Sequence, residues 1–252
     1  MSQDFFRKTL HQWRILFKDS AYRWSFALGL FVLISGGLVT KEVGVYRDMS
    51  VYVSVGDFIL NRIPTYDLEI LFFWGLYALI GMIVFYGILV EPEKFPFMMK
   101  TFGVLLFVRS GFIVLTFIGP PEGFFFKDGV NFGVFWKDVI FKNDLFFSGH
   151  TSIPFMGYLL FRKNKWFRMV MLLGSVVMGL TVLLMHVHYS IDVFAAFFIS
   201  YGIYAFSDKI FNQLNLRFKR RIALHGWNTW KKRIESLKKS KHYKNFQKIF
   251  YK

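Results

Sequence analysis

The sequence predicts an all-α, polytopic membrane protein folded as a six-helix transmembrane bundle. Three observations carry that prediction. Apolar residue types make up 54% of the 252 residues and charged types only 19%, against about 25% charge in an ordinary soluble domain. Six stretches approach the ~20 apolar residues that a membrane-crossing helix needs. The net charge of +16 is concentrated outside those stretches, above all at the C-terminus. A disordered chain is excluded and a soluble globular enzyme is disfavoured. With no cysteine anywhere, a disulfide framework, a thiolate metal site and a cysteine nucleophile are excluded as well.

The leader, residues 1–23, places Phe6, Leu10, Trp13 and Phe17 at helical spacing between Arg7, Lys8, Arg14 and Lys18. That pattern predicts an amphipathic helix at the membrane surface. The charged leader is long and no small-residue cleavage site follows the next apolar run, so 24–40 is expected to be a retained anchor. The clearest span is 70–90, which has no charged residue at all. The span at 102–118 is interrupted by one charge, Arg109. Spans at 145–161, 169–185 and 193–207 complete the six. Residues 24–207 form one membrane domain, and 208–252 form a basic tail with fourteen Lys or Arg against Asp208 and Glu235.

Lys and Arg accumulate on the cytoplasmic side of membrane proteins. The leader has five, 162–168 has four with no acid, and the tail has the most, whereas 41–69 has three basic residues against five acids. Both termini are therefore expected in the cytoplasm, with 41–69, 119–147 and 186–192 on the extracytoplasmic (periplasmic or luminal) side. A basic tail that directly follows a span is expected to lie on anionic lipid headgroups and not on nucleic acid. Segment 119–147 is rich in Phe and Trp, including Phe124, Phe125, Phe126 and Trp136. It reads as a loop in the headgroup layer or as a lid over a site.

Polar groups inside a bilayer are costly and mark functional sites. Arg109 at mid-span is either an ion-paired structural residue or an anion ligand facing a cavity. Ser148-Gly149-His150 opens the span at 145–161. Ser148 suits a helix N-cap, Gly149 permits close approach of a ligand, and a helix N-terminus binds phosphate. His150 on that first turn could donate a proton to a phosphate ester. Pro154 falls just past an unstrained first turn and predicts a kink. His188 and Asp192 stand four apart, on one helical face. The carboxylate there could hold one imidazole nitrogen protonated and leave the other as nucleophile or base; a structural pair at a helix start is the other reading. No set of His, Asp and Glu has metal-binding spacing apart from that pair, so neither a metal nor an organic cofactor is expected.

At these residues the chain resembles the type-2 phosphatidic acid phosphatase superfamily and, within it, the sphingomyelin synthase branch. The shared features are Ser148-Gly149-His150 and His188 with Asp192. The branch adds an Asp four residues before the Ser-Gly-His-Thr motif, here Asp144, and a His-x-His-Tyr-(Thr/Ser)-x-Asp-Val motif, here His186 to Val193 with Tyr189 inside it. Arg109 with Thr116, Pro120 and Pro121 corresponds to a third feature. Where the branch has Cys-Gly before the aspartate, this chain has Lys142-Asn143.

The resemblance covers roughly 100–207. It implies transfer of a phospho-headgroup from a membrane phospholipid to a lipid alcohol such as ceramide or diacylglycerol. With water as acceptor, the same site would be a lipid phosphatase or a phospholipase C type hydrolase. It further implies His188 as nucleophile, Asp192 as its partner and His150 as acid and then base, the nucleophile assignment between the two histidines staying open. Arg109, Ser148, Gly149, Asp144 and Tyr189 would contact substrate.

Overall fold

In a computed structural model the chain is described over residues 3–49, 53–125 and 145–239. Seven α-helices follow in order: α1 (Gln3–Phe17), α2 (Ser20–Asp48), α3 (Leu76–Leu89), α4 (Phe95–Leu115), α5 (Gly149–Leu160), α6 (Lys165–Leu184) and α7 (Ser190–Lys239). A π-helical turn, Leu71–Gly75, leads into α3. Among the described residues there is no sheet, only an isolated bridge between Val53 and Ile118.

The helix starts are written in the sequence. Asp19 caps α2 by accepting from the Ala21 N–H, and Asn164 caps α6 by accepting from the Phe167 N–H. Pro96 sits in the first turn of α4, where its missing N–H costs nothing. Among the described residues, five helices are long and apolar enough to cross a membrane: Ser20–Asp48, Leu71–Leu89, Pro92–Leu115, Lys165–Leu184 and Ser190–Phe211.

The sixth expected span, 145–161, is shorter than its apolar run. Helix α5 begins only at Gly149 and has 12 residues, about 18 Å, well short of a ~30 Å hydrocarbon layer. Phe146, at φ 126°, breaks any helical continuation from Leu145. Its ring is held against Phe112, stacked at 5.0 Å. Helix α5 is continuous through Pro154. Ser175 Oγ donates to the Thr151 carbonyl at 2.7 Å, so the start of α5 is level with the middle of α6. It lies about 10 Å below the end of α6 at 1.5 Å per residue.

Around α5 the bundle closes on a core that includes Leu79, Ile83, Met156, Met171 and Met178. Helices α2 and α4 meet through glycines. A Cβ on Gly103 would lie 2.7 Å from the Val32 backbone, and one on Gly36 would lie 2.9 Å from the Gly103 carbonyl. Small residues let membrane helices approach this closely.

The two ends of the bundle are distinct. At one end Trp13 Nε1 and Thr9 Oγ1 of α1 donate to the Ile88 and Leu89 carbonyls, and Lys163 pairs with Glu91 and Glu93. Helix α1 leaves Phe6 and Leu10 exposed, whereas Trp13 turns inward against Tyr22, Phe26 and Phe95. Helix α7 runs without a break from the membrane-length segment through residue 208 and into the basic region. Its Phe218 packs against Leu16 and Tyr22 at this end. At the other end, the Tyr66 N–H donates to Leu184 and the Phe125 N–H to Met185, while the Gly119 N–H reaches Val53. The loops at 53–70, 116–125 and 185–189 therefore form one cap over the recessed start of α5.

Candidate active site

Beneath that cap the N-termini of α5 and α7 meet. The Ser148 N–H donates to the Asp192 carbonyl at 3.1 Å and so fixes one helix start against the other. The two starts differ in how their free N–H groups are satisfied. On α7, Asp192 Oδ2 accepts from the Tyr189 N–H at 3.1 Å, reaching back to the cap residue as in a capping box. Asp57, from the loop after α2, accepts from the Ser190 N–H and hydroxyl at 2.7 and 2.8 Å. On α5, Ser148 holds the cap position but its side chain makes no cap bond. Its hydroxyl is buried and without a partner. The first-turn N–H groups of any helix lack intrahelical acceptors, so the start of α5 is the one that offers donors and positive dipole to an anion.

Six of the residues singled out from sequence converge here: Arg109, Ser148, Gly149, His150, His188 and Asp192. His188 is buried, and its Nδ1 donates to Asp192 Oδ2 at 3.1 Å. That bond leaves Nε2 with the ring's lone pair. Because the same carboxylate oxygen also takes the Tyr189 N–H, the aspartate is anchored to backbone while it orients the imidazole. His150 lies near both His188 and Arg109, and its Nε2 is buried without a protein partner. Arg109 comes from α4, its Nε donating to the Phe147 carbonyl at 3.2 Å. Its guanidinium lies 3.7–4.0 Å from where a side chain on Gly149 would begin. Gly149 thus keeps the space beside the arginine open.

The remaining expectations fare differently. Tyr189 is buried and its hydroxyl is engaged by the protein: it donates to the Gly119 carbonyl at 2.8 Å and accepts from the Val55 N–H at 3.1 Å. In the structure it ties the cap loops to the start of α7. Asp144, together with Phe126 and Trp136 of the aromatic segment, lies outside the described residues.

Three contributors were not among the expected site residues. Phe72, in the π-helical turn, stacks on His150 with ring centroids 3.8 Å apart. Asp57 caps α7 from 133 positions away in the chain. His186 adopts a left-handed backbone at φ 52° and donates from Nδ1 to the Glu122 carbonyl at 2.9 Å. The sequence signals were faint: an aromatic in an apolar run, one acid among five, and the first histidine of a motif.

Burial opposes ionisation of the Asp57 carboxyl. That effect is outweighed by hydrogen bonds from the backbone of Leu60, Ser190 and Ile59 and from the Ser190 hydroxyl, which hold the group below its usual range. Among the described residues no group of three or more His, Asp or Glu could hold a metal ion.

The fold and the site together define a multi-pass α-helical membrane protein with a histidine–aspartate pair, a second histidine and an arginine at a recessed helix start. Residues 143–209 match the family model PAP2 superfamily C-terminal. The match supports the type-2 phosphatidic acid phosphatase superfamily and, with it, an enzyme acting on phosphate esters. It spans α5, α6 and the membrane-length part of α7, and so includes His150, His188 and Asp192, while Arg109 and Phe72 fall outside it. No curated protein and no solved structure matches the chain.

Proposed function

We propose that the protein is a lipid headgroup phosphotransferase similar to sphingomyelin synthase. It would move a phospho-headgroup from a glycerophospholipid to a lipid alcohol such as ceramide or diacylglycerol. The observation that carries the reading is the contrast between two helix starts. The start of α7 is closed by two carboxylates, and the start of α5 is left uncapped beside Arg109 with buried polar atoms unpartnered.

A phosphodiester fits that place. Its non-bridging oxygens would take the first-turn N–H groups of α5 and the Arg109 guanidinium, which is electrostatic preorganisation. His188 Nε2 attacks phosphorus, and the bond to the lipid oxygen breaks. His150 protonates the departing alkoxide. A phosphohistidine remains, and Asp192 stabilises the positive imidazole ring. His150 then takes the proton of the acceptor hydroxyl as its oxygen displaces His188 from phosphorus. Acid–base help of this kind contributes about 10²–10⁴-fold. With water as acceptor the same steps make a phosphatase or a phospholipase C type hydrolase; the buried state of His188 and Asp192 favours the lipid alcohol.

The deciding experiment incubates purified protein with labelled phosphatidylcholine or phosphatidylethanolamine, with and without ceramide or diacylglycerol, and separates the products. A labelled sphingolipid or exchanged glycerolipid is expected. Release of free phospho-headgroup alone establishes the hydrolase. His188→Ala is expected to abolish either activity, and turnover retained in that variant refutes the scheme. Turnover is expected to survive excess EDTA; a loss that only a divalent ion restores replaces the phosphohistidine route with a metal-assisted one.

A further inference from the structure

The geometry points to Phe72 as the positioning residue for His150, the acid and base of the proposed reaction: a π-helical turn holds its ring against the imidazole. The inference rests on the proposed function for its kinetic consequences but not for its geometry.

A π-turn inserts one residue into an α-helix, and such insertions occur mostly at functional sites. Here the turn is Leu71–Gly75, just before α3. In a regular α-turn the Leu76 N–H would close on the Phe72 carbonyl. It bonds the Phe73 carbonyl. The Phe72 ring lies over the same imidazole, 3.8 Å between centroids and 29° from parallel. Phe73 packs edge-on against the Phe72 ring at 5.0 Å. The plane of the imidazole is therefore fixed by the Phe72 ring, and its Nε2 is buried with no protein partner. An acid that must serve a departing alkoxide and then an incoming hydroxyl at nearly one point needs this orientation. The buried bundle position of Phe72 alone does not call for a widened turn.

Phe72→Leu keeps apolar bulk and removes the ring face, Phe72→Met fills the space flexibly, and Phe72→Tyr retains the ring. With the lipid donor, whose alkoxide leaves poorly, kcat should fall about 3- to 10-fold in the Leu and Met variants, with KM little changed. The pH limb that reports His150 should move. With an aryl phosphodiester, whose phenolate needs little protonation, the loss should stay under about 2-fold. Phe72→Tyr should recover most of the loss.

A second measurement needs no turnover. Diethyl pyrocarbonate acylates neutral imidazoles, and peptide mapping by mass spectrometry gives the rate at each histidine. In the Leu variant His150 should react several-fold faster than in the unmodified chain, with His225 on the exposed surface unchanged. Equal losses on both esters, an unmoved pH limb, or an unchanged His150 acylation rate overturns the assignment. So does failure of both the Leu and Met variants to elute as monodisperse protein in detergent, which would give the ring to core packing. Absence of turnover in the unmodified chain, with the acylation result as expected, counts against the proposed function and leaves the positioning role standing.

Discussion

Asp192→Asn and Asp192→Ala should separate sharply, and the reason lies in a single oxygen. Asp192 Oδ2 accepts both the His188 Nδ1–H and the Tyr189 N–H, each at 3.1 Å. An asparagine whose carbonyl oxygen takes that position keeps both bonds and therefore the imidazole tautomer. What it loses is the negative charge opposite the phosphohistidine of the proposed reaction. A hydrogen bond to a charged group contributes about 1.5–3 kcal/mol and a neutral one about 0.5–1.5 kcal/mol. The difference of about 1–2 kcal/mol corresponds to roughly 5- to 30-fold in kcat. Alanine removes both bonds and leaves two donors unsatisfied in a buried site, at about 1–3 kcal/mol each, besides releasing the ring. Its kcat should fall by about 10³-fold or more, with a lowered melting temperature. The assay is headgroup release or transfer from labelled phospholipid under saturating conditions, beside thermal unfolding in the same detergent. An asparagine variant that folds and yet falls to the alanine level refutes the argument from one shared oxygen, because orientation and not charge would then dominate.

Further expectations follow from other contacts. The Asp57 carboxyl is held below its ordinary range, so its contribution is present above the unfolded value of about 3.9 and is lost as pH falls through the folded one. Asp57→Asn should therefore lower the melting temperature at pH 7, by about 1–2 kcal/mol of stability, and flatten its decline between pH 5 and 3. Gly103→Ala puts a methyl 2.7 Å from the Val32 backbone and should cost about 1–3 kcal/mol, measured by thermal unfolding in detergent, whereas Gly37→Ala, whose Cβ meets nothing within 4 Å, should be neutral. In this cysteine-free chain, Asn61→Cys at the cap end should react with an impermeant thiol reagent in intact cells and Lys165→Cys at the opposite end should not; the reverse pattern overturns the expected orientation.

The residues of the candidate site were more legible in the sequence than their setting. Arg109, His150, His188 and Asp192 are conspicuous because each is expensive in an apolar environment, and a spacing of four on a helix brings the last two together. Phe72 is invisible by the same logic, since a phenylalanine in a charge-free run costs nothing and the π-turn has no sequence signal of its own. Asp57 is an unremarkable loop acid until folding carries it to the start of α7. The expected span at 145–161 counted Leu145, Phe146 and Phe147 as helical because they are apolar. Hydropathy measures burial and not backbone geometry, and Phe147 is fully buried without belonging to a helix. The boundary at 207–208 follows charge, but no backbone break accompanies it, because basic residues extend a helix as readily as apolar ones.

The recessed start of α5 bears on how a substrate concentration should be expressed. If the substrate is the lipid proposed above, a reacting group about 10 Å below the end of α6 can be met by a lipid whose chains stay among the other lipids. Such an encounter is a collision in two dimensions. Its frequency depends on the mole fraction of that lipid around the protein and is indifferent to the volume of water outside. Diluting the donor with inert lipid at constant bulk concentration should slow the reaction, while diluting the whole suspension with buffer should leave the turnover of each molecule unchanged.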